Sequence, residues 1–277
     1  MDKYNVYQDM SRRTGGEIYL GIVGPVRTGK STFIKRFMEL VVIPEMSDDN
    51  EKVRTIDELP QSADGKTIMT TEPKFIPKEA AVIHFSNQET GKIRLIDCVG
   101  YLVPEAVGAI EEEKERMVKT PWSEEEIPFS KAAEIGTSKV IREHSNLGLI
   151  ITTDGSFGDI AAANFEEALQ KTVMECEKAG KPFLILVNTS RPDSQETIQL
   201  KKRLEAQYGK TVMAVNCKTM DREDVFRIME QLLADFPITR LNFLLPKWVE
   251  FLQPDNWLKQ DLIEKCRDVI QKVHTMK

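Results

Sequence analysis

Apolar residues along this chain fall into short blocks whose spacing alternates between that of a strand and that of a helix. Glu17 to Val23 is an apolar run that stops at Gly24, and Thr32 to Val42 follows with Phe33, Phe37, Met38 and Val41 at helical spacing. The pattern predicts strand, loop, helix. From Ile43 to Pro77 the chain is polar, carries several prolines and has no clear period, which predicts a long functional loop. Ala80 to Phe85 and Ile93 to Cys98 are apolar runs joined by Ser86-Asn87-Gln88-Glu89-Thr90-Gly91, a link rich in turn residues and too short for a helical crossover. These two strands should pair antiparallel. Leu147 to Thr153, Pro182 to Asn188 and Thr211 to Asn216 read as further strands separated by helix-like segments, the arrangement of parallel crossovers. The expected fold class is α/β, with a mostly parallel sheet and one antiparallel strand.

Two stretches depart from this rhythm. Glu111 to Ser145 is dense in glutamate and lysine and is broken by Pro121 and Pro128, which predicts a pair of solvated helices or, alternatively, a partner-binding surface. Beyond Phe236-Pro237 the character changes. Trp248 appears, and a helix is expected from about Trp257 with Leu258, Leu262, Ile263, Cys266, Val269, Ile270 and Val273 in a wide stripe. Residues 1–239 are therefore expected to form one domain and 240–277 the start of a second, in a natural protein that continues further.

Composition narrows the partners. Acidic residues outnumber basic ones, 44 to 38, and the formal net charge of -6 argues against a mainly electrostatic grip on nucleic acid or anionic lipid. The four cysteines, Cys98, Cys176, Cys217 and Cys266, show no C-x-x-C spacing, so neither a zinc site nor a disulfide framework is expected. Met1 to Gly16 lacks the apolar core of a signal peptide, and no run approaches the ~20 apolar residues of a membrane span. A cytoplasmic protein with at most indirect membrane contact is expected.

Gly24-Pro25-Val26-Arg27-Thr28-Gly29-Lys30-Ser31 satisfies G-x-x-x-x-G-K-[ST] between a predicted strand and a predicted helix. Each part has a physical reason. The glycines let backbone N–H groups close on phosphate oxygens, and the helix that opens at Thr32 adds the positive end of its dipole. Lys30 should neutralise the β- and γ-phosphates and the Ser31 hydroxyl should ligate Mg²⁺. Asp97, at the end of an apolar strand in Asp97-Cys98-Val99-Gly100, is the candidate for the metal side, and the N–H of Gly100 for the γ-phosphate. Within the long loop, Lys66-Thr67-Ile68-Met69-Thr70-Thr71-Glu72-Pro73 offers Thr70 and Thr71 to sense the γ-phosphate and the metal, with no means of choosing between them. The chain thus reads as a P-loop nucleoside triphosphatase.

The base side is more discriminating. In the translation-factor class of GTPases the strand corresponding to Phe183 to Val187 leads into N-K-x-D, whose aspartate accepts two N–H bonds from guanine. Here it leads into Asn188-Thr189-Ser190-Arg191, which ends on a donor-only guanidinium. Asn216-Cys217-Lys218 occupies the place of the second base-contacting loop of that class. Tyr101 follows Gly100 where many GTPases carry a water-positioning glutamine, so fast intrinsic hydrolysis is not expected. Arg27 is an internal charge stabiliser near the β–γ bridge or a solvated loop residue. His84, His144 and His274 have no spacing that suggests metal or acid–base work.

Taken together, the loop at Gly24 to Ser31, the threonine pair within Thr67 to Pro73, Asp97-Cys98-Val99-Gly100 and the turn Thr152-Thr153-Asp154-Gly155-Ser156 resemble the stage IV sporulation protein A family over nearly the whole chain. The resemblance implies a translation-factor GTPase-like P-loop domain that has turned to ATP. Lys30, Thr70, Thr71 and Asp97 then act in Mg²⁺-dependent ATP hydrolysis. It further implies self-assembly into polymers that form the basement layer of the spore coat, at the forespore surface in the mother-cell cytoplasm. The partners it implies are a small amphipathic membrane-bound sporulation peptide and other coat morphogenetic proteins. Two other readings compete, a scaffold that nucleotide merely stabilises and a regulatory GTPase-like switch.

Overall fold

The computed structural model describes residues 17–60, 72–85, 89–106, 110–111, 114–234 and 243–272. Along the chain, β1 (Glu17–Val23) leads through a loop into α1 (Lys30–Phe37), whose backbone runs on as a wider turn over Met38–Val42. Next come α2 (Asp49–Glu58), β2 (Lys74–Phe85) and β3 (Glu89–Asp97). Two small hairpins follow, β4 (Ile110–Glu111) with β5 (Lys114–Glu115) and β6 (Met117–Thr120) with β7 (Ser123–Pro128), and lead to α3 (Phe129–Lys139). The chain then alternates through β8 (Leu147–Thr153), α4 (Glu166–Ala179), β9 (Phe183–Asn188), α5 (Gln195–Tyr208), β10 (Val212–Val215) and α6 (Arg222–Ala234), and α7 (Trp257–Lys272) comes last.

Six of these strands make one sheet in the order β10-β9-β8-β1-β3-β2. Every neighbouring pair is parallel except β2 and β3. The central strands are apolar without alternation because both faces are covered. Ile18, Leu20 and Ile22 of β1, with Leu149, Ile151, Leu184 and Leu186, pack on one side against Phe33, Ile34 and Phe37 of α1 and Val225, Ile228, Met229, Leu232 and Leu233 of α6. On the other side Ile150, Ile185, Val187 and Val212 meet Val140, Ile141, Leu169, Val173 and Leu204. Each such side chain, taken fully out of water, contributes roughly 1.5–3 kcal/mol.

Two expectations are corrected. The polar stretch from Ile43 to Pro77 is not all loop: α2 lies within it, and β2 begins at Lys74 rather than Ala80. The Asp48 side chain caps α2 by accepting from the N–H of Asn50 at 2.8 Å, and Asp49 and Glu51 suit the first turn. No apolar period announced this helix, because it leaves Val53 and Ile56 exposed and buries Thr55. Pro77 is tolerated in β2 because β2 is an edge strand and Pro77 falls in the break of its register with β3, between Ile76 and Ala81. The expected helix pair over Glu111 to Ser145 is, in the described residues, the two hairpins and then α3. Val118 pairs with Ile127 and Thr120 with Ser123, so Pro121 and Trp122 form the turn between two strands. The exposed run Glu124, Glu125 and Glu126 marks solvent, not helix. Among the described residues no helix is long and apolar enough to cross a membrane.

Phe33, fully buried between α1 and the sheet, should make Phe33→Ala lose about 3–5 kcal/mol of unfolding free energy. Val53→Ala on the exposed face of α2 should change it by less than ~0.5 kcal/mol. Urea titration of both variants checks the assignment, and equal effects would contradict the packing described.

Candidate functional site

Parallel pairing delivers the ends of β1, β3, β8, β9 and β10 to one edge of the sheet. Ile22 is level with Asp97, Val23 with Ile150, Thr153 with Asn188 and Val215 with Asn188. Loops that leave neighbouring parallel strands at their carboxyl ends form the usual crevice for ligands in such sheets. Here that crevice gathers the described predicted residues from four separate parts of the sequence, 24–32, 97–100, 188–191 and 216–218.

The loop from Gly24 to Gly29 wraps around the Lys30 side chain. Lys30 is only 5% exposed, and its Nζ donates to the carbonyls of Pro25 at 2.6 Å and Gly24 at 3.3 Å. Burial lowers its pKa, against the pull of the neighbouring Cys98 and Asp97. Ser31 Oγ donates to Asp97 Oδ2 at 3.2 Å. Burial raises the Asp97 pKa, opposed first by Lys30 and then by the hydrogen bonds from Ser31 and the Cys98 backbone. Asp97 Oδ1 is buried with no hydrogen-bond partner, a costly state for a carboxylate oxygen unless something else meets it. The Cys98 thiol is pushed up to about 11 by burial, so it stays protonated and inert. Among the described residues no group of three or more His, Cys, Asp and Glu side chains is placed to hold a metal. A cation here would rest on Asp97 and Ser31 together with ligand oxygens.

Two glycines are dictated by contact as well as by conformation. Gly100 has φ +94, and a Cβ there would sit 2.0 Å from the Gly24 carbonyl oxygen and 2.7 Å from Lys30 Nζ. Gly29 also has φ +94, and its Cβ would sit 2.3 Å from Asn188 Nδ2. The Gly100 segment is thus pressed directly onto the phosphate loop, and the Val26 N–H donates to the Tyr101 carbonyl at 2.9 Å. The Tyr101 ring is packed with Val26, Val103, Ile160, Phe165 and Ala168, and burial raises its pKa. It is a packing residue. Thr28 is buried with its hydroxyl on the Pro25 carbonyl at 3.0 Å, Thr32 is half-buried in the first turn of α1, and Arg27 is exposed on the rim with φ 62.

At the far side of the crevice Asn188 is fully occupied as a bridge. Its Nδ2 donates to the Thr28 carbonyl at 3.0 Å and its Oδ1 accepts from the Cys217 N–H at 3.0 Å, which ties the phosphate loop to the ends of β9 and β10. Asn216 Oδ1 accepts from the Lys218 N–H at 3.0 Å, the Cys217 side chain is buried, and Arg191 and Lys218 are exposed. Of the predicted residues, Thr70 and Thr71 lie outside the described residues, and the others line this one edge. Reasoning from sequence assigned no role to Asp154, whose carboxylate accepts from Thr189 Oγ1 at 2.6 Å and from the Ser156 N–H at 3.0 Å. The available signal was Asp154-Gly155 directly after an apolar strand, a turn-forming pair.

Comparison with known proteins is consistent in one direction. A family model described as Stage IV sporulation protein A, ATPase domain, matches residues 1–237, and one described as Stage IV sporulation protein A, middle domain, matches residues 238–277. Stage IV sporulation protein A of Bacillus subtilis (strain 168) is 47% identical over 277 residues, covering 100% of this chain and 56% of that protein. The Bacillus anthracis protein of the same name is 46% identical over the same 100% and 56%. That of Clostridioides difficile (strain 630) is 47% identical over 266 residues, 96% of this chain and 54% of its own length. The chain therefore spans about half the length of these curated relatives. A solved structure of an SsGBP variant aligns with TM-score 0.42 and 14% identity over 82% of this chain and 58% of that one.

Gly100→Ala combines a positive φ with a contact on backbone that cannot give way. It should lower the thermal midpoint by several degrees and weaken nucleotide binding at least tenfold. Differential scanning fluorimetry with and without nucleotide measures both, and a variant that matches the parent in both would show that the segment does not press on the loop.

Proposed function

We infer the function of this chain from one premise, that it belongs to the stage IV sporulation protein A family and carries that family's ATPase domain. We propose that it binds ATP with Mg²⁺ at the crevice, hydrolyses it slowly, and uses turnover to license self-assembly into the basement layer of the spore coat. The observation that carries the reading is the buried Lys30 ammonium beside the half-buried Asp97 under a glycine-lined loop, with the enclosed Asp97 Oδ1 left unpartnered. The residues present fit both groups. A Cβ at Gly29 or Gly100 would close the cradle, and Ser31 and Asp97 supply the hard oxygen donors that Mg²⁺ prefers.

In this reading the loop N–H groups and the N-terminus of α1 hold the phosphates, and Lys30 shifts from carbonyl acceptors toward the phosphate oxygens. Ser31 and Asp97 would hold the cation. The cation, when bound, supplies charge neutralisation for the β- and γ-phosphates. Gly100 donates its N–H to the γ-phosphate, and Thr70 and Thr71 report its presence. The translation-factor GTPase-like class is supported by the edge position of the antiparallel strand β2 beside β3. Arg191 cannot accept from guanine, and Asn188 has its carbonyl committed to Cys217. ATP is therefore preferred, by roughly 1–3 kcal/mol. A domain boundary at 239/240, assembly at the forespore surface in the mother-cell cytoplasm, and recruitment by an amphipathic membrane-bound peptide and other coat proteins complete the proposal. The packed Tyr101 favours a second reading as well, a scaffold that bound nucleotide stabilises by mass action without needing turnover.

Phosphate release measured with ATP and GTP, alongside assembly with ATP and with a non-hydrolysable analogue, separates the readings. Assembly only with hydrolysable ATP supports the first, and equal assembly with the analogue supports the scaffold. Lys30→Ala should reduce ATP affinity by about 2–4 kcal/mol, and a folded variant with parent affinity would end the phosphate-loop assignment. Thr70→Ala combined with Thr71→Ala should spare binding and slow hydrolysis at least tenfold. Arg191→Asp should recover part of the missing GTP affinity in a competition titration, whereas a parent that already prefers GTP would overturn the base reading.

A further inference from the structure

The loop from Thr189 to Arg191 has no regular structure, yet its polar groups are almost all spoken for. Thr189 is fully buried, with its N–H on the Val215 carbonyl at 3.0 Å. Its hydroxyl donates to Asp154 Oδ2 at 2.6 Å and accepts from the Arg191 N–H at 3.1 Å. The Ser190 N–H donates to Ser156 Oγ at 2.8 Å, and the Ser156 N–H donates to Asp154 Oδ1 at 3.0 Å. On the other flank Thr197 Oγ1 donates to the Arg191 carbonyl at 2.9 Å. Both oxygens of one carboxylate thus hold the loop, one through Thr189 and one through Ser156.

We propose that Asp154 is the positioning residue of the base-binding loop: its carboxylate, acting through Thr189 and Ser156, sets the path of residues 188–191 and so the affinity and base preference of the site without touching nucleotide. The inference rests on the nucleotide-binding function proposed above. Only an ionised carboxylate does this work. It accepts on both oxygens at once, whereas an amide has one acceptor and would turn its NH₂ toward the other donor. Burial pushes the Asp154 pKa upward, but the hydrogen bonds from Ser156 and Thr189 outweigh it and hold the group below the usual carboxylate range. Apart from Asp154, the bond from Asn188 to the phosphate loop and the bond from Thr189 to β10 fix the first two residues, and Thr197 Oγ1 and the Ser194 N–H hold the Arg191 carbonyl, which leaves the Ser190 and Arg191 N–H groups to be placed. Ser190 and Arg191, whose side chains are exposed, are placed through backbone N–H groups that end on this one acid.

The test compares the parent chain with Asp154→Ala, Asp154→Asn and Ser156→Ala, measuring KM and kcat for ATP, the ATP-to-GTP affinity ratio, and the affinity for inorganic tripolyphosphate. Asp154→Ala should raise KM for ATP about tenfold, the equivalent of ~1.4 kcal/mol, and shrink the ATP-to-GTP ratio. Its kcat should stay within about twofold and its tripolyphosphate affinity should be unchanged. Asp154→Asn should fall between parent and Ala. Ser156→Ala, which leaves the Thr189 bond in place, should shift the ratio less. It keeps the proposal testable if Asp154→Ala does not fold. Unchanged KM and ratio in all three variants would overturn the role of Asp154, as would a parallel loss of tripolyphosphate binding, which marks a general structural defect. A parent that binds neither ATP nor tripolyphosphate would overturn this inference and the proposed function together, while a parent that binds both leaves only Asp154 at stake.

Discussion

Lys30 is an ammonium withdrawn from water, and the surrounding chain is shaped by the need to satisfy it. Its three protons have two loop carbonyls and the nearby Asp97 charge to turn to, and burial still lowers its pKa. Desolvating one cation and one anion in the same place is unfavourable unless each meets the other or a ligand. The rest of the crevice follows from that. The Gly24 and Pro25 carbonyls face the ammonium, and Gly100 must lack a side chain because a Cβ there would strike both the Gly24 carbonyl and the ammonium. Stability is given up at this edge and recovered in the two apolar layers, where Phe33 and Phe37 of the helix that follows Lys30 are fully buried. The first helix is therefore both the wall of the site and the main tie between site and core.

A second polar layer lies beside the first and has a different character. Around Lys30 the groups are charged and incompletely paired, whereas around Asn188 and Asp154 they are paired almost throughout. The contrast fits a division of work. In the function proposed above, a site for phosphate and metal must keep unsatisfied valence for its ligand, while a loop that faces a flat, weakly polar base gains selectivity from being held in one shape. Asn188 couples the two layers, since the carbonyl it holds belongs to Thr28 in the phosphate loop. One amide thereby ties the Gly24–Gly29 loop to the ends of β9 and β10.

The hairpins and α2 show how composition misleads when surface is mistaken for structure. Glutamate and lysine between Glu111 and Ser145 suggest solvated helix by propensity, but Val118 opposite Ile127 and the Pro121-Trp122 turn make part of that stretch a pair of strands. Side chains facing water carry little information about backbone, because either conformation leaves them solvated. In the same way α2 escaped notice because its apolar Val53 and Ile56 point outward. An N-cap such as Asp48 with no apolar stripe behind it is a weak sequence signal.

What the sequence determined by itself is whatever depends on neighbours a few residues away. The strand, glycine loop and helix from Glu17 to Phe37, the antiparallel link between β2 and β3, the alternation of strands and helices after Leu147, and the placing of Lys30 and Ser31 at a helix start and of Asp97 at a strand end were all legible. Each rests on local backbone freedom or a short period. Tertiary structure alone decided which distant groups meet. Ser31 reaches Asp97 because β1 and β3 lie in parallel register, Tyr101 is removed from solvent by residues of three other segments, and Asp154 holds Thr189 because β8 and β9 end level with each other. Register and burial are properties of the whole packed sheet, summed over many weak contacts. No short window of sequence contains them.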